Sequence, residues 1–577
     1  MAAFSTNPRI LIVTPEVTYL PSGMANDSAG LNAKAGGLAD VSAALITALY
    51  RQGADVHVAL PHYRSIFTGQ LPPVVRRELM AMKNTVPEER IHLAQDRAFF
   101  YQNHVYSGYA DENTKLSLAF QREVINNIVP HVQPDLIHCN DWMTGLIPAM
   151  ARQLGIPCLF TIHNIHTVNS TLSEIEDRGI DSASFWHHLF YEHFPSDYEN
   201  TRAVIPVDFL TTGVFASHFV NTVSPTFLDE VTEGRHGFAK FSLQQELSNK
   251  KNAGCAVGIL NAPDPSYDPS SDEALFCQYF AENHVFGKKA NKRILQKDLG
   301  LIQDVRAPVF FWPSRLDPVQ KGCQLLANIL YNIVSRYWDQ NLEIVFVADG
   351  EFQQHFKDIV RFHNLSDRVA ICGFNERLAR LAYGASDFVL MPSSFEPCGL
   401  PQMIGAVYGT LPVAHDTGGI HDTVAHLDVF KNTGNGFLFK TFDSGGLSWA
   451  IDEAMRFYMM PLKARNRQTT RIMMQSAATF NHQVTAQQYI ALYEKMLHRP
   501  LINSVNTEPC GMKKTAGQTS YFQNIPDLEP HNTRMVRQLF SNRSGRQEMI
   551  DMSKRMVSAE NEQSTFLRTN RPIGQAD

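Results

Sequence analysis

The sequence predicts two doubly wound α/β domains in tandem, facing each other across a cleft and followed by a polar C-terminal tail. Three observations carry this reading. Short apolar runs alternate with helical segments in the first half, the pattern restarts at Val309, and a proline cluster separates the two series. At 577 residues the chain is also too long for one ordinary core.

In the first series, Ile10-Leu11-Ile12-Val13 is a continuous apolar run, as a strand buried on both faces requires. Residues 39–50 carry helical periodicity. A second strand, 56–61, is stopped by its own proline. Residues 136–138 and 158–162 are further strands, and a helix over 144–154 lies between them, ended by Gly155. In the second series, 309–312 is a strand, 322–335 a helix, 342–348 a strand and 351–363 a helix. Strands follow at 369–371, 387–391 and 411–414, the last leading into the turn Thr417-Gly418-Gly419. The boundary falls near 261–272, where Pro263, Pro265 and Pro269 stand among Ser and Asp. From about residue 500 the chain is polar with mixed charges. Residues 535–540 and 549–556 could form short helices in what is otherwise expected to be a disordered tail.

Composition narrows the functional classes. The net charge of −6 gives no general pull towards nucleic acid or a membrane surface, and 44% hydrophobic residues is ordinary for a globular chain. The eight cysteines are scattered without a C-x-x-C pair, which points to reduced thiols in a cytoplasmic setting. His138 and Cys139 are adjacent, but nothing nearby completes a metal site, and no cofactor is expected. The first apolar run is too short for a signal peptide, and no stretch reaches the length of a membrane-spanning helix. Oligomeric state is not encoded in any readable motif.

The stretch Ser393-Ser394-Phe395-Glu396-Pro397-Cys398-Gly399-Leu400-Pro401-Gln402 lies between the strand 387–391 and a helical segment, 403–408. Open α/β sheets hold their ligands at such strand ends. The amides of Cys398, Gly399 and Leu400 would point out of the helix start towards an anion, and Glu396 would meet hydroxyls. Together they suit a phosphorylated sugar. Lys34-Ala35-Gly36-Gly37-Leu38-Ala39-Asp40 joins the first strand to the first long helix. Gly36 and Gly37 allow close backbone approach, and Lys34 adds a point charge. Gly-Gly before a helix can also be a plain turn.

Asp141 and Trp142, in His138-Cys139-Asn140-Asp141-Trp142-Met143-Thr144-Gly145, follow a strand end; Asp141 could also be a helix N-cap. His163 and Asn164 close Thr161-Ile162-His163-Asn164, where a lone histidine is more often a structural residue. Ser314-Arg315-Leu316-Asp317-Pro318-Val319-Gln320-Lys321-Gly322 offers two cations, Arg315 and Lys321. A fixed cationic pair facing a diphosphate would stabilise a leaving nucleotide as charge builds on it.

Taken in order, these segments resemble the bacterial glycogen and starch synthases of the ADP-glucose type, glycosyltransferase family five. The F-E-P-C-G-L run is the closest match, and the resemblance extends from residue 10 to about 497. K-T-G-G-L reads with Ala35 for Thr, and H-x-H-D-W-H-T-G with Asn140 and Met143 for two histidines. T-V-H-N reads Thr161-Ile162-His163-Asn164, and N-G-x-D reads Asn261-Ala262-Pro263-Asp264. T-G-G-L-x-D-T-V reads Thr417-Gly418-Gly419-Ile420-His421-Asp422-Thr423-Val424, without the arginine that often precedes it.

The resemblance implies the GT-B architecture: a Rossmann-like starch synthase catalytic domain on the acceptor side at 1–265 and a Rossmann-like nucleotide-sugar domain at 266–480. A helix at 481–499 would cross back to the first domain, leaving 500–577 as the tail. The implied activity is retaining glucosyl transfer from ADP-glucose to an α-1,4-glucan. Two alternatives are a UDP-glucose-dependent relative and a catalytically weak glucan-binding or regulatory homologue. Glu396, His163, Asp141, Arg315 and Lys321 are the implied catalytic residues. Donor and phosphate contacts are implied for Lys34, Gly36, Gly37, Cys398, Gly399, Leu400, Thr417, Gly418 and Gly419. Tyr383 aligns with an aromatic near the nucleotide base, though it could equally be core. Asn164 and Trp142 fall on the acceptor side. One extra residue separates Arg315 from Lys321 relative to the family pattern, so Lys321 is expected to be the less securely placed of the two.

Overall fold

The computed structural model describes residues 7–24, 31–69 and 90–502. The expected tail beyond 502, with its short helices at 535–540 and 549–556, lies outside the described residues.

Two parallel sheets form the frame. The strands of the first are β1 (Arg9–Val13), β2 (Asp55–Pro61), β3 (Ile91–Ala94), β4 (Leu136–Asn140) and β5 (Cys158–Ile162). A short antiparallel pair, β6 (Asn169–Ser170) and β7 (Val207–Asp208), stands apart. β8 (Phe219–Thr222) and β9 (Ala256–Gly258) then complete the first sheet in the order β3-β2-β1-β4-β5-β8-β9. The second sheet contains β10 (Val309–Trp312), β11 (Glu343–Val347), β12 (Val369–Cys372), β13 (Phe388–Met391), β14 (Leu411–His415) and β15 (Phe437–Phe439). Its order is β12-β11-β10-β13-β14-β15. In each sheet the order reverses beside the first strand, at β1/β4 and β10/β13. Crevices at the carboxyl ends of those strands are where such sheets take ligands.

Both sheets are covered on both faces, which explains their continuous apolar runs. Leu11 and Val13 pack with Ile137, Cys139 and Phe160, while Ile10 and Ile12 pack on the opposite face with Val56, Val58 and Leu136. In the second sheet Phe310 and Trp312 join Ile344 and Phe346, and Val309 and Phe311 join Val345 and Val347. The helix His482–Leu497 docks on the first sheet through Ala486, Tyr489, Tyr493 and Met496, one face at helical spacing. Two of its hydroxyls reach into the sheet. Tyr493 lies 2.8 Å from His138 Nδ1, and Tyr489 accepts from Asn221 Nδ2 at 3.0 Å.

One helix differs from expectation. Residues 144–154 are not continuous: a 3-10 turn at Trp142–Thr144 precedes a helix Ile147–Ala151 and a second 3-10 turn, Arg152–Leu154. Pro148 lacks the N–H an interior position must donate, so the helix begins just before it rather than running through it.

Candidate active site

In the second half, the loop after β13 carries Glu396, which is 7% exposed. Lys321 Nζ lies 2.6 Å from its Oε2, and Ser393 Oγ donates to the same oxygen at 3.1 Å. The extra residue before Lys321 is absorbed outward. Asp317 Oδ1 accepts the amides of Val319 and Gln320 at 2.8 and 2.9 Å, making a tight turn that leaves Val319 78% exposed. Lys321 N returns to Asp317 O at 3.2 Å, and Ser394 N donates to Gln320 O at 2.8 Å. Gly322 then adopts φ +68, with the Pro392 carbonyl oxygen only 1.9 Å from where a Cβ would sit. Only glycine lets the chain turn there into the helix Cys323–Arg336. The bulge therefore brings Lys321, expected to be the less securely placed of the two cations, against Glu396. Arg315 is exposed, and among the described residues it has neither an ion-pair nor a hydrogen-bond partner. Its loop is anchored by Leu316 N donating to Asp349 O at 2.8 Å.

Leu400 caps the helix Pro401–Val407. Gln402 Nε2 bonds the carbonyls of Cys398 and Gly399 at 2.9 and 3.0 Å, fixing the turn from behind. Among the described residues, the amides of Cys398, Gly399 and Leu400 donate to no protein acceptor. Gly419 N donates to Glu396 O at 2.9 Å, so the Thr417 turn is packed on the Glu396 loop.

In the first half, the loops after β1, β4 and β5 converge. Glu16 Oε2 accepts the amides of Ala35 and Gly36 at 2.7 and 2.9 Å. Burial pushes this carboxyl's pKa up, against the pull of those amides. The Gly36 amide, expected to face phosphate, is thus already taken by an internal carboxylate. Lys34 Nζ sits 2.8 Å from Asp40. Asp141 has φ +56, and its Oδ1 accepts the amides of His163 and Asn164 at 2.7 and 3.3 Å. Its side chain does not cap a helix; its backbone carbonyl accepts Thr144 N instead. Burial raises the Asp141 carboxyl to about 7, opposed by the two amides. A non-glycine residue held at positive φ with a displaced pKa is a frequent mark of a functional position. His163 Nε2 lies 2.9 Å from Asn140 Oδ1, and burial pushes this imidazole down to about 3. Asn164 beside it is exposed.

The two halves meet over this site. A Cβ on Gly37 would lie 3.8 Å from Leu400 Cδ1. Glu230, on the helix Pro225–Thr232, accepts the Gly418 amide at 3.0 Å and the Thr417 hydroxyl at 3.1 Å. Burial alone would raise its pKa, but His236 at 3.0 Å and those donors bring it below the ordinary carboxylate value. Asp422 in turn accepts from Ser224 Oγ at 2.6 Å and from the Thr226 amide and hydroxyl at 3.0 and 2.7 Å. Phe238 packs on Phe395 with ring centroids 4.2 Å apart. Further along the junction, a cavity of about 410 Å³ is lined by Thr18, Lys34 and Asp40 on one side and Tyr267, Glu376 and Arg380 on the other. A larger cavity, about 620 Å³, opens beside Arg9 and Asp55, the first residues of β1 and β2, at the opposite strand ends from this chemistry.

Two expected residues stand away from open space. Tyr383 is 4% exposed and packs against Phe311 and Tyr408, so its ring is core and offers no face to a base. One exposed aromatic at a strand end of the second sheet is Phe374, 59% exposed in the loop after β12, whose amide donates to Asp349 Oδ1 at 3.1 Å. Trp142 is 6% exposed, wedged against Tyr106 and His166, and Met143 is fully in the core. Glu16, Glu230, Asp422 and Phe374 were not singled out from the sequence. For Glu16 and Phe374 the only signal was position, two or three residues past a strand end, and for Asp422 its place in the segment Thr417–Val424; Glu230 lies on a helix with no such mark.

Two parallel sheets with loops converging at their switch points define a GT-B glycosyltransferase. Residues 9–245 match the family model described as starch synthase catalytic domain, and 307–456 match glycosyl transferases group 1. Glycogen synthase from Moorella thermoacetica is 32% identical over 520 residues, covering 85% of this chain and 97% of that protein. The Anoxybacillus flavithermus glycogen synthase is 31% identical over 461 residues, covering 74% and 88%. The catalytic domain of starch synthase IV from Arabidopsis thaliana, solved bound to ADP and acarbose, superposes with a TM-score of 0.68 at 26% identity, covering 86% of this chain and all of that one. The chain belongs to the glycogen and starch synthase family. Among the described residues no helix is long and apolar enough to cross a membrane.

Proposed function

We propose that this enzyme is a retaining glucosyltransferase that moves glucose from ADP-glucose to the non-reducing end of an α-1,4-glucan such as glycogen, in the cytoplasm. The observation that carries the reading is the Lys321–Glu396 pair at the β10/β13 switch point, 2.6 Å apart, with Arg315, unpaired among the described residues, on the same loop. Support for an adenine nucleotide comes from the related starch synthase domain bound to ADP. In this reading residues 1–265 and 266–480 are the acceptor-side and donor-side domains, and 481–499 ties the chain back to the first.

Arg315, Lys321 and the amides of Cys398, Gly399 and Leu400 neutralise the diphosphate as it leaves. Glu396 holds hydroxyls of the donor glucose, and Thr417, Gly418 and Gly419 form the turn that backs it. The exposed ring of Phe374, at a strand end of the donor domain, stacks on the base in place of Tyr383. The cavity between Lys34, Asp40 and Arg380 takes polar parts of the nucleoside. A double-displacement glycosidase mechanism needs two carboxylates flanking the anomeric carbon. Here Glu396 is bound to Lys321 and Asp141 to two amides, so both are positioned as hydrogen-bonding groups rather than as a free nucleophile. Substitution from the same face follows, with the departing phosphate taking the acceptor hydroxyl proton. His163, Asn164 and Asp141 bound the acceptor side, and closure over the site keeps water from the donor.

Incorporation of labelled glucose into glycogen, with ADP-glucose and UDP-glucose competed in one assay, tests the reading. Transfer from ADP-glucose is expected, with a loss of about 10²-fold or more in Glu396→Ala and Arg315→Ala. Preference for UDP-glucose would reassign the donor, and near-normal turnover in both variants would sink the site assignment.

A further inference from the structure

His163 is held through its ring by a neighbour whose own orientation is fixed. Asn140 Nδ2 donates to the Val13 carbonyl at 3.0 Å, so Oδ1 is the atom that faces His163 Nε2 at 2.9 Å. An amide oxygen only accepts, so Nε2 carries the ring proton and Nδ1 keeps its lone pair. The backbone is fixed too: His163 N donates to Asp141 Oδ1 at 2.7 Å. Asn140 is 4% exposed at the end of β4, and β4 pairs with β5, the strand that delivers His163.

We propose that Asn140 is a positioning residue that locks His163 as its Nε2–H tautomer, so that Nδ1 accepts a hydrogen bond from a hydroxyl of the transferred sugar. The inference rests on the glucosyltransferase reading and deepens it. It gives the site a directional requirement, because the sugar group opposite Nδ1 must be a donor. An ether, a fluorine or a bare carbon there would leave that acceptor unpaired once the sugar covers it. The ring is partly exposed, and desolvation pushes its pKa down to about 3, which keeps it neutral. The titratable groups around it are His138 and Asp141 on the β4 side, with Glu16 beside Asp141. His138 is itself held between Tyr493 and Thr161, at 2.8 and 2.6 Å, and is likewise pushed down to about 3 by burial.

The test combines ¹⁵N-histidine NMR of the full chain with transfer kinetics of Asn140 variants. In the wild type, the His163 resonance, assigned by its loss in His163→Gln, should show a protonated Nε2 and a bare Nδ1 across the neutral range. Asn140→Asp puts a carboxylate against Nε2–H, which raises the imidazole pKa. Below that raised value Nδ1 is protonated and cannot accept, so kcat should fall at acid pH and recover as pH rises, a limb absent from the wild type. KM for glycogen should stay within about twofold, since the effect is made at the transferred sugar. Asn140→Ala frees the tautomer and should lower kcat about 10- to 100-fold without adding the limb. A wild-type ring protonated at Nδ1, or an Asn140→Asp profile identical to the wild type, would overturn the proposal. A wild-type chain that transfers no glucose would sink the reading of the site, while the NMR signature would still decide the tautomer.

Discussion

Lys321→Ala separates two effects that meet at one contact. Lys321 Nζ and Glu396 Oε2 are 2.6 Å apart, and the two side chains are only 11% and 9% exposed. At an effective dielectric near 20 the gross attraction at that distance is about 6 kcal/mol, much of it offset by the cost of burying both ions. Truncating one partner leaves Glu396 buried with Ser393 as its remaining side-chain donor. Such an orphaned charge costs about 3–5 kcal/mol of stability. Catalysis loses a cation aimed at the diphosphate, worth about 10²- to 10³-fold in kcat. Denaturant unfolding and labelled-glucose incorporation read the two losses independently. Lys321→Ala combined with Glu396→Gln should recover most of the stability, because no charge is then stranded, and none of the activity. Lys321→Ala should also cost activity at least as heavily as Arg315→Ala, since the bulge at Val319 does not displace the lysine. A Lys321→Ala protein within about 1 kcal/mol of wild-type stability, or one whose kcat falls less than about threefold, would refute the argument.

Phe374→Ala should raise KM for the nucleotide sugar roughly tenfold by removing one stacking face, while Tyr383→Phe, altering a ring in the core, leaves it unchanged; steady-state kinetics on both variants decides which aromatic meets the base. Asp141 has its pKa raised to about 7, above the ordinary 3.8, so its contribution to stability is greatest below the unfolded value and is lost as pH rises through the folded one. Its part of the unfolding free energy should therefore fall between about pH 4 and 7 by at most about 4 kcal/mol, less because one edge of the residue stays open to the cleft. Asp141→Asn should flatten that slope, and an unchanged pH dependence in the variant would remove the assignment.

Much of the fold was legible because parallel strands buried on both faces must be continuous apolar runs. Residues 10–13, 158–162 and 309–312 have no other reading. Phe219–Thr222 was not legible, because it carries Asn221 and Thr222 inward. Those polar groups are buried against Tyr489 and Ser224, partners that are distant in sequence or beyond a turn. The Glu396 loop was legible because strand, glycine and helix start are contiguous. Tyr383 was left open between base and core for the opposite reason. An aromatic on the helix Glu376–Ala385 faces either core or cleft according to which side of the helix meets the sheet, and that is a tertiary fact. Phe374 lay nine positions earlier, in a loop with no periodicity to mark it.

The Gly36-Gly37 loop was read as favouring phosphate and the Gly418-Gly419 segment as a turn beside the donor, yet carboxylates of the protein occupy part of each. Glu16 holds the amides of Ala35 and Gly36, and Glu230 reaches across to the Gly418 amide. Gly418, at φ +46, is required because a Cβ there would lie 2.1 Å from the Glu396 carbonyl oxygen. The glycine thus serves to stack the turn on the Glu396 loop rather than to bare its amide. In the proposed reading the diphosphate meets Arg315, Lys321 and the three amides from Cys398 to Leu400, all in the second half. Glu16 and Glu230 set two carboxylates on the first-half side of the cleft, where they would repel a dianion. On the proposed reading the loops of the first half face the acceptor and one side of the sugar, which fits His163 and its fixed amide partner. On the proposed reading, charge and hydrogen bonding divide the cleft along the same line as the two sheets, and electrostatics then favours a nucleotide that docks on the second sheet before the first meets the glucose.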